Sequence, residues 1–179
     1  SKQRKQMSNK LFNVFNRKVS ESDFIKIFGS IYEHSEWVPK NIIKNNSVLP
    51  DTIENLGLRM KEEVDKASNE KKLELLCLHP ELGIKKNSSK KLTLSSQNEQ
   101  KSAGLDQCSD EEFSVLSEYN KLYREKFKFP FIIAVSGLNR SQIINQIKIR
   151  VQNNYNKEFI TAINEVHKIA KIRLDNIFL

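Results

Sequence analysis

Cysteine is scarce in this chain. Cys77 and Cys108 are the only two in 179 residues, which rules out a disulfide framework, and neither lies in a CxxC or a Cys/His cluster of zinc-ligand spacing. A reducing, cytoplasmic compartment and no bound metal are expected. Long apolar runs are missing too. Nothing approaches the roughly 18 residues needed to span a bilayer, and the basic start has no apolar core of the signal-peptide kind. The final Ile177-Phe178-Leu179 is not the Ser-Lys-Leu peroxisomal address. The expectation is a soluble protein with no membrane partner. Acid, finally, is absent from the first 18 residues, where Lys2, Arg4, Lys5, Lys10, Arg17 and Lys18 hold six of the eight net positive charges and leave only +2 for the rest. The overall charge of +8 is therefore a property of one end, and residues 1–18 read as a flexible basic segment.

What remains is a nearly balanced body, 19–179, long enough and apolar enough (38% hydrophobic residues) to form one folded unit. Ser20 and Ser22 offer N-caps to a stripe at Phe24, Ile27, Phe28 and Ile31, spaced as one face of a helix that should run to about Val38, where Pro39 ends it. A second helix is expected from Pro50-Asp51 through Met60 and Val64. Ser68 caps a third, with Leu73, Leu76 and Cys77 inward, ending near His79-Pro80. The stretch from Gly83 to about Leu94, rich in Lys, Ser and Asn, reads as an exposed loop. Ser109 and Glu112 make a capping box for a helix along Phe113, Leu116, Asn120, Tyr123 and Phe127. The run Phe131 to Val135 is too short to classify by period, and Gly137 closes it. Two more helices follow, one through Ile144, Ile147 and Val151, the other through Phe159, Ile163, Val166 and Ala170. There is no internal repeat, and only two short segments qualify as strands, so the fold class is all-α, a single-domain helical bundle.

Few residues are candidates for chemistry. His79 sits at a helix end, where the dipole favours an imidazolium and its ring can reach free carbonyls; that alone makes it an ordinary cap. Pro80 stops the helix and fixes the backbone of the ring, which is also how a catalytic group is aimed. Ser96-Gln97-Asn98-Glu99 has capping-box spacing and reads as a helix start, yet such a start offers unpaired amides to an anion while its carboxylate can position a histidine or a polar substrate. Phe131-Ile132-Ile133-Ala134-Val135 reads as core, or as a dry wall that presents main-chain groups to a ligand. His34 and Trp37 are either pocket lining or a packed helix end, His167 is a surface residue, and the lysines at 85, 86, 90 and 91 are a solvated loop.

Taken in order, these pieces resemble one family. Phe24 through Tyr32-Glu33-His34-Ser35-Glu36-Trp37, then His79-Pro80-Glu81-Leu82, Ser96-Gln97-Asn98-Glu99-Gln100, Ser102-Ala103-Gly104-Leu105, Glu112-Phe113, Tyr123 and Lys126 to Ile133 are similar to the 2-oxo-4-hydroxy-4-carboxy-5-ureidoimidazoline (OHCU) decarboxylases. These enzymes convert an unstable urate oxidation product into S-allantoin and carbon dioxide. The resemblance implies an all-helical fold, a homodimer, no metal or organic cofactor, and a small anionic ureidoimidazoline substrate. It further implies His79 as catalytic acid/base, Glu99 orienting it or the substrate, and a site lined by Pro80, by Ser96, Gln97, Asn98, Glu99 and Gln100, and by Phe131, Ile132, Ile133, Ala134 and Val135. Two positions depart from the family. Ser136 stands where a basic residue often follows the apolar run, the nearest cation being Arg140, and Lys128 stands where a glycine is common.

Two readings compete with the enzyme. A basic helical module for nucleic acid predicts a basic stripe with interleaved aromatics, which the body lacks, so no nucleic-acid partner is expected. A catalytically dead scaffold of the same family predicts loss of His79 or Glu99, and both are present.

Overall fold

The computed structural model describes residues 11–14, 17–45, 49–50, 52–83 and 92–177. Eight helices dominate: α1 (Glu21–Phe28), α2 (Trp37–Asn45), α3 (Ile53–Asp65), α4 (Asn69–Cys77), α5 (Leu94–Ser102), α6 (Asp110–Phe127), α7 (Arg140–Arg150) and α8 (Tyr155–Asp175). The all-α expectation holds. Ahead of the helices lies a small antiparallel hairpin, β1 (Leu11–Val14) with β2 (Arg17–Ser20), paired from Leu11↔Ser20 to Val14↔Arg17. It falls in the basic segment and was not foreseen. Most of the expected lysine loop lies outside the described residues. No helix among the described residues is long and apolar enough to cross a membrane.

Contacts gather the chain into two compact units, one of residues 1–67 and 170–179, the other of residues 68–169. In the first unit Phe24 and Phe28 meet tilted, 4.8 Å between ring centroids, with Val38, Ile42, Leu56, Met60 and Val64 fully buried in the same unit. Leu174 packs on Gly57, whose missing Cβ would stand 3.2 Å from the leucine Cδ2. Arg173 lies against the buried Glu33 at 2.7 Å and donates to the Ser30 carbonyl at 3.2 Å. The first predicted helix, expected to reach about Val38, ends ten residues earlier, and a separate helix starts where it was expected to stop. α1 stops at Gly29, and α2 begins at Trp37 with Pro39 inside its first turn. Proline is tolerated there because the amide it lacks would have had no partner within the helix.

The second unit is built on aromatic rings. Tyr123 meets Phe127 at 4.5 Å, Phe131 at 5.4 Å and Phe129 at 5.9 Å, in the tilted and edge-on arrangements that aromatic quadrupoles favour. Ser68 and Ser109 cap α4 and α6 as their sequences require, the latter with the full Ser109–Glu112 box. Inward faces differ from expectation in two places. α4 buries Leu75 and Leu76 while Cys77 is exposed, and α7 buries Ile143, Ile147 and Arg150 rather than Ile144 and Val151. The stripe had been drawn through apolar residues alone, and a buried arginine moved it by one position.

Lys128 closes α6 in the left-handed region at φ 64°, its N–H on the Arg124 carbonyl at 2.9 Å. This explains why glycine is common there: a Cβ in that conformation costs about 1–2 kcal/mol. Lys128→Gly is therefore expected to raise stability by up to about 1 kcal/mol, part of the gain being offset by the greater freedom of glycine in the unfolded chain. A urea midpoint that falls instead would show that Lys128 makes compensating contacts.

Candidate active site

α4 ends where its backbone runs out of continuation. The His79 N–H reaches the Leu76 carbonyl at 3.1 Å, and Pro80, with no N–H of its own, cannot extend the ladder. The imidazole folds back on the helix, its Nδ1 2.9 Å from the Leu75 carbonyl oxygen. A carbonyl only accepts, so the neutral ring carries its proton on Nδ1 and its lone pair on Nε2. Of the three histidines only His79 is buried. Its ring plane is set by a main-chain bond.

The turn that follows is held by side chains from two other helices. Gln100 of α5 accepts from the Gly83 N–H at 3.1 Å and donates to the Glu81 carbonyl at 3.3 Å. Asn120 of α6 donates to the Leu82 carbonyl at 2.9 Å, and Arg124 of α6 meets the Glu81 carboxylate at 3.3 Å. Gly83 adopts φ +74°, and a Cβ there would stand 2.4 Å from Leu116 Cδ2. On the opposite side of α4, the Cys77 thiol donates to the Lys128 carbonyl at 3.4 Å, one residue before Phe129. Partial desolvation pushes that thiol above its ordinary pKa although Arg124 pulls it down.

α5 corrects one expectation. Its N-cap is Thr93, whose hydroxyl accepts from the Ser96 N–H at 3.2 Å. Ser96 to Gln100 therefore lie inside the helix, with no bare helix start among them. The helical period sorts them: Ser96 and Gln100 are buried, Glu99 is half-buried, and Gln97 and Asn98 face outward, the Gln97 amide donating to the Leu92 carbonyl at 3.0 Å. Gln100 is thereby brought to the turn after His79. Gln97 and Asn98 are not.

Phe131 to Val135 is irregular, buried chain rather than helix, with Ala134 half-buried. The Ile132 carbonyl accepts from Arg150 Nη1 at 2.7 Å, the Ala134 N–H donates to Glu165 at 3.2 Å, and the Val135 carbonyl accepts from the Leu138 N–H at 3.0 Å. Arg150 is central here. Its guanidinium sits 4.5 Å over the Phe131 ring and its Nε donates to Glu158 Oε2 at 3.0 Å, with Nη2 also 3.0 Å from that oxygen but not aligned as a hydrogen bond. Glu158 is fully buried and also accepts from Tyr123 Oη at 2.6 Å and Asn153 at 2.8 Å. Burial, then the bond to Glu158, raises the Tyr123 phenol far above its ordinary pKa, so it acts only as a donor. The sequence reading missed Arg150, Glu158 and Glu165, and the only signal was polar residues at inward helical positions, as Asn120 already was within the α6 stripe.

Arg140 is committed elsewhere. Its Nε meets Glu112 at 3.1 Å and its Nη1 donates to the Gly104 carbonyl at 3.3 Å, which ties the start of α7 to that of α6.

These features define a predominantly helical protein with one buried imidazole beside a turn braced by side chains. The family model for OHCU decarboxylase matches residues 17–175, and the chain belongs to that family. It is 38% identical over 157 residues to 2-oxo-4-hydroxy-4-carboxy-5-ureidoimidazoline decarboxylase of Haloferax volcanii, covering 88% of this chain and 90% of that protein. It is 39% identical over 160 residues to a uric acid degradation bifunctional protein of a Bacillus strain, covering 89% of this chain; here it spans only 31% of the relative. Among solved structures it is similar to an (S)-allantoin synthase, with TM-score 0.70 and 31% identity over 89% of this chain and 51% of that one. It is also similar to an OHCU decarboxylase crystallised in the presence of (S)-allantoin, with TM-score 0.64 and 25% identity over 79% and 90%.

Two outcomes follow from this geometry. Gly83→Ala should lose more than about 1 kcal/mol in denaturant unfolding, since it adds left-handed strain to a clash with Leu116; an unchanged midpoint would mean the turn is looser than it stands here. The bond from the Ser109 N–H, helped by Arg140, holds the Glu112 carboxyl below its ordinary value of 4.5. A lowered folded-state pKa stabilises above the ordinary value, and that contribution disappears as pH falls through the folded-state value. Glu112→Gln should therefore flatten the acid side of the stability profile below about pH 4.5, read by thermal melts across pH.

Proposed function

We infer that this chain decarboxylates 2-oxo-4-hydroxy-4-carboxy-5-ureidoimidazoline to (S)-allantoin and carbon dioxide, with His79 as the proton-transfer residue. The observation that supports this reading is the burial of His79, its Nδ1 on the Leu75 carbonyl at 2.9 Å, beside a turn braced by Gln100 and Asn120. The carbon–carbon bond to the carboxylate breaks, carbon dioxide leaves, and the electron pair spreads over the adjacent ring imine and carbonyl. Those atoms are the electron sink, so the chemistry needs no cofactor. What the protein must add is a fixed angle for the departing carboxylate, donors for the developing charge, and a proton delivered to one face.

The braced turn supplies rigidity under His79 and Pro80, and Gln100 joins it to the helix that carries Ser96 and Glu99. In this reading Glu99 orients the imidazole or the substrate, and Phe131 to Val135 is the wall opposite. Gln97 and Asn98, which face outward, act at most through the helix they extend. The active form is a homodimer, as the family resemblance implies, and it works in the cytoplasm, where the free thiols of Cys77 and Cys108 suit a reducing compartment.

General acid–base help of this kind contributes on the order of 10²- to 10⁴-fold. Added to freshly oxidised urate, the wild-type chain should produce an optically active allantoin signal in a circular dichroism time course, and His79→Ala should lose it by about that factor while keeping its far-ultraviolet spectrum. Identical traces for wild type, variant and buffer would refute the assignment.

A further inference from the structure

One row of α6 runs beside the chain on both sides of His79. The Lys128 carbonyl accepts from the Cys77 thiol, Arg124 pairs with Glu81, Asn120 donates to the Leu82 carbonyl, and Leu116 lies against Gly83. Positions 116, 120 and 124 are four apart and so share one face of the helix, with Lys128 as its cap in the same step. The row climbs from 116 to 128 as the turn descends from 83 to 77. His79 and Pro80 are bracketed by it.

The firmest hold is on a single peptide unit. In the plane that joins Leu82 to Gly83, the carbonyl accepts from Asn120 Nδ2 at 2.9 Å and the N–H donates to Gln100 Oε1 at 3.1 Å. No peptide bond among the described residues is cis, and across a planar trans unit these two groups point in opposite directions. Asn120 and Gln100 therefore grip the unit from opposite edges and join α6 to α5 through it. Gly83 needs that grip, since at φ +74° it is the residue that resists rotation least. Asn120 gains little stability by it. The residue is 5% exposed and its Oδ1 has no hydrogen-bond partner among the described residues, so a bare buried acceptor offsets the bond made by Nδ2. A leucine would continue the buried stripe of Leu116, Tyr123 and Phe127 and exchange a bare Oδ1 for a bare Leu82 carbonyl, which leaves stability nearly unchanged.

We propose that Asn120 is a positioning residue, which holds the Leu82–Gly83 peptide against Gln100 and so keeps His79 at a fixed spacing from the α5 helix that carries Glu99. This rests on the reading of His79 as the proton-transfer residue with Glu99 as its partner, and adds to it the residue that sets the distance between them. Only Glu81 separates Leu82 from Pro80, whose fixed φ passes the hold on to His79. Asn120 does not touch the substrate. Its loss falls on kcat rather than KM, because the aim of a proton donor is felt in the transition state and not in the bound ground state.

Two variants remove the donor. Asn120→Leu keeps the volume of the side chain, and Asn120→Ala adds no bulk and carries the test should the leucine not fold. Each should lower kcat by about 10- to 100-fold, the effect of misplacing a catalytic group by up to about 1 Å, with KM within about twofold of wild type. The urea midpoint of Asn120→Leu should stay near that of wild type. The Nδ1 proton of His79, held on Leu75, should give one sharp 15N–1H signal in the wild-type chain, and that signal should shift or broaden in both variants. An unchanged kcat in a folded variant, a loss spread equally over kcat and KM, or a His79 signal that ignores the substitutions overturns the proposal. The signal is read whether or not turnover occurs. A wild-type chain that forms no optically active product, while its His79 signal responds to both substitutions, would refute the decarboxylase assignment and leave the hold of Asn120 on His79 standing.

Discussion

The second unit depends on the main chain around His79 being held by side chains rather than by secondary structure. A helix that ends in His-Pro has spent its ladder, and the five residues from His79 to Gly83 have no sheet or helix to satisfy their peptide groups. Gln100, with one donor and one acceptor on its amide, satisfies two of them, and Asn120 a third. Each such bond contributes only about 1 kcal/mol net, but a buried carbonyl left unmatched costs about 1–3. The turn is thus held less by the strength of its bonds than by the penalty for breaking them. That penalty gives the imidazole one place to be.

The same logic, with charge added, governs the stretch from Phe131 to Val135. A fully buried glutamate and a nearly buried arginine are costly to desolvate, and swapping both for apolar residues could well leave a more stable protein. Their retention has a geometric explanation. Arg150 has five donors in a rigid plane; Glu158 occupies part of that fork, and one further donor is free to grip Ile132. An apolar pair would fill the space without gripping a carbonyl. The aromatic cluster of Tyr123, Phe129 and Phe131 excludes water around this pair, which strengthens every bond inside it.

How much of this was legible in the sequence varies with the kind of signal. The helices of the second unit were, because serine caps and apolar spacing are local facts: Ser68, Ser109, and the stripe Leu116, Asn120, Tyr123, Phe127 all do what their spacing says. The start of α5 was not, since Ser96 with Glu99 mimics a capping box and Thr93, three residues earlier, outcompetes it. Pro39 misled in the same way; a proline can end a helix or sit in its first turn, and only the tertiary context chooses. His79 and Pro80 were readable as an aimed ring. Arg150 and Glu165 were not, because they bond peptide groups 18 and 31 residues away and peptide groups have no sequence signature; nor was Glu158, whose partner Tyr123 lies 35 residues away.

Stereochemistry ties the two halves of the site together. Once carbon dioxide has left, the remaining planar, charge-delocalised intermediate has two faces that differ by nothing intrinsic, and a proton arriving from water would sample both. Discrimination between the faces requires that the proton donor and the ring each be held from directions that do not move relative to one another. In the proposed site the donor would be His79, held by one carbonyl of its own helix, and the wall 131–135, held by a guanidinium and a carboxylate on two other helices. Arg140, the nearest cation after the apolar run, is bound to Glu112 and Gly104. A point charge draws an anion close without fixing its rotation, whereas a donor and an acceptor on one rigid residue fix both, and rotation is what selects a face.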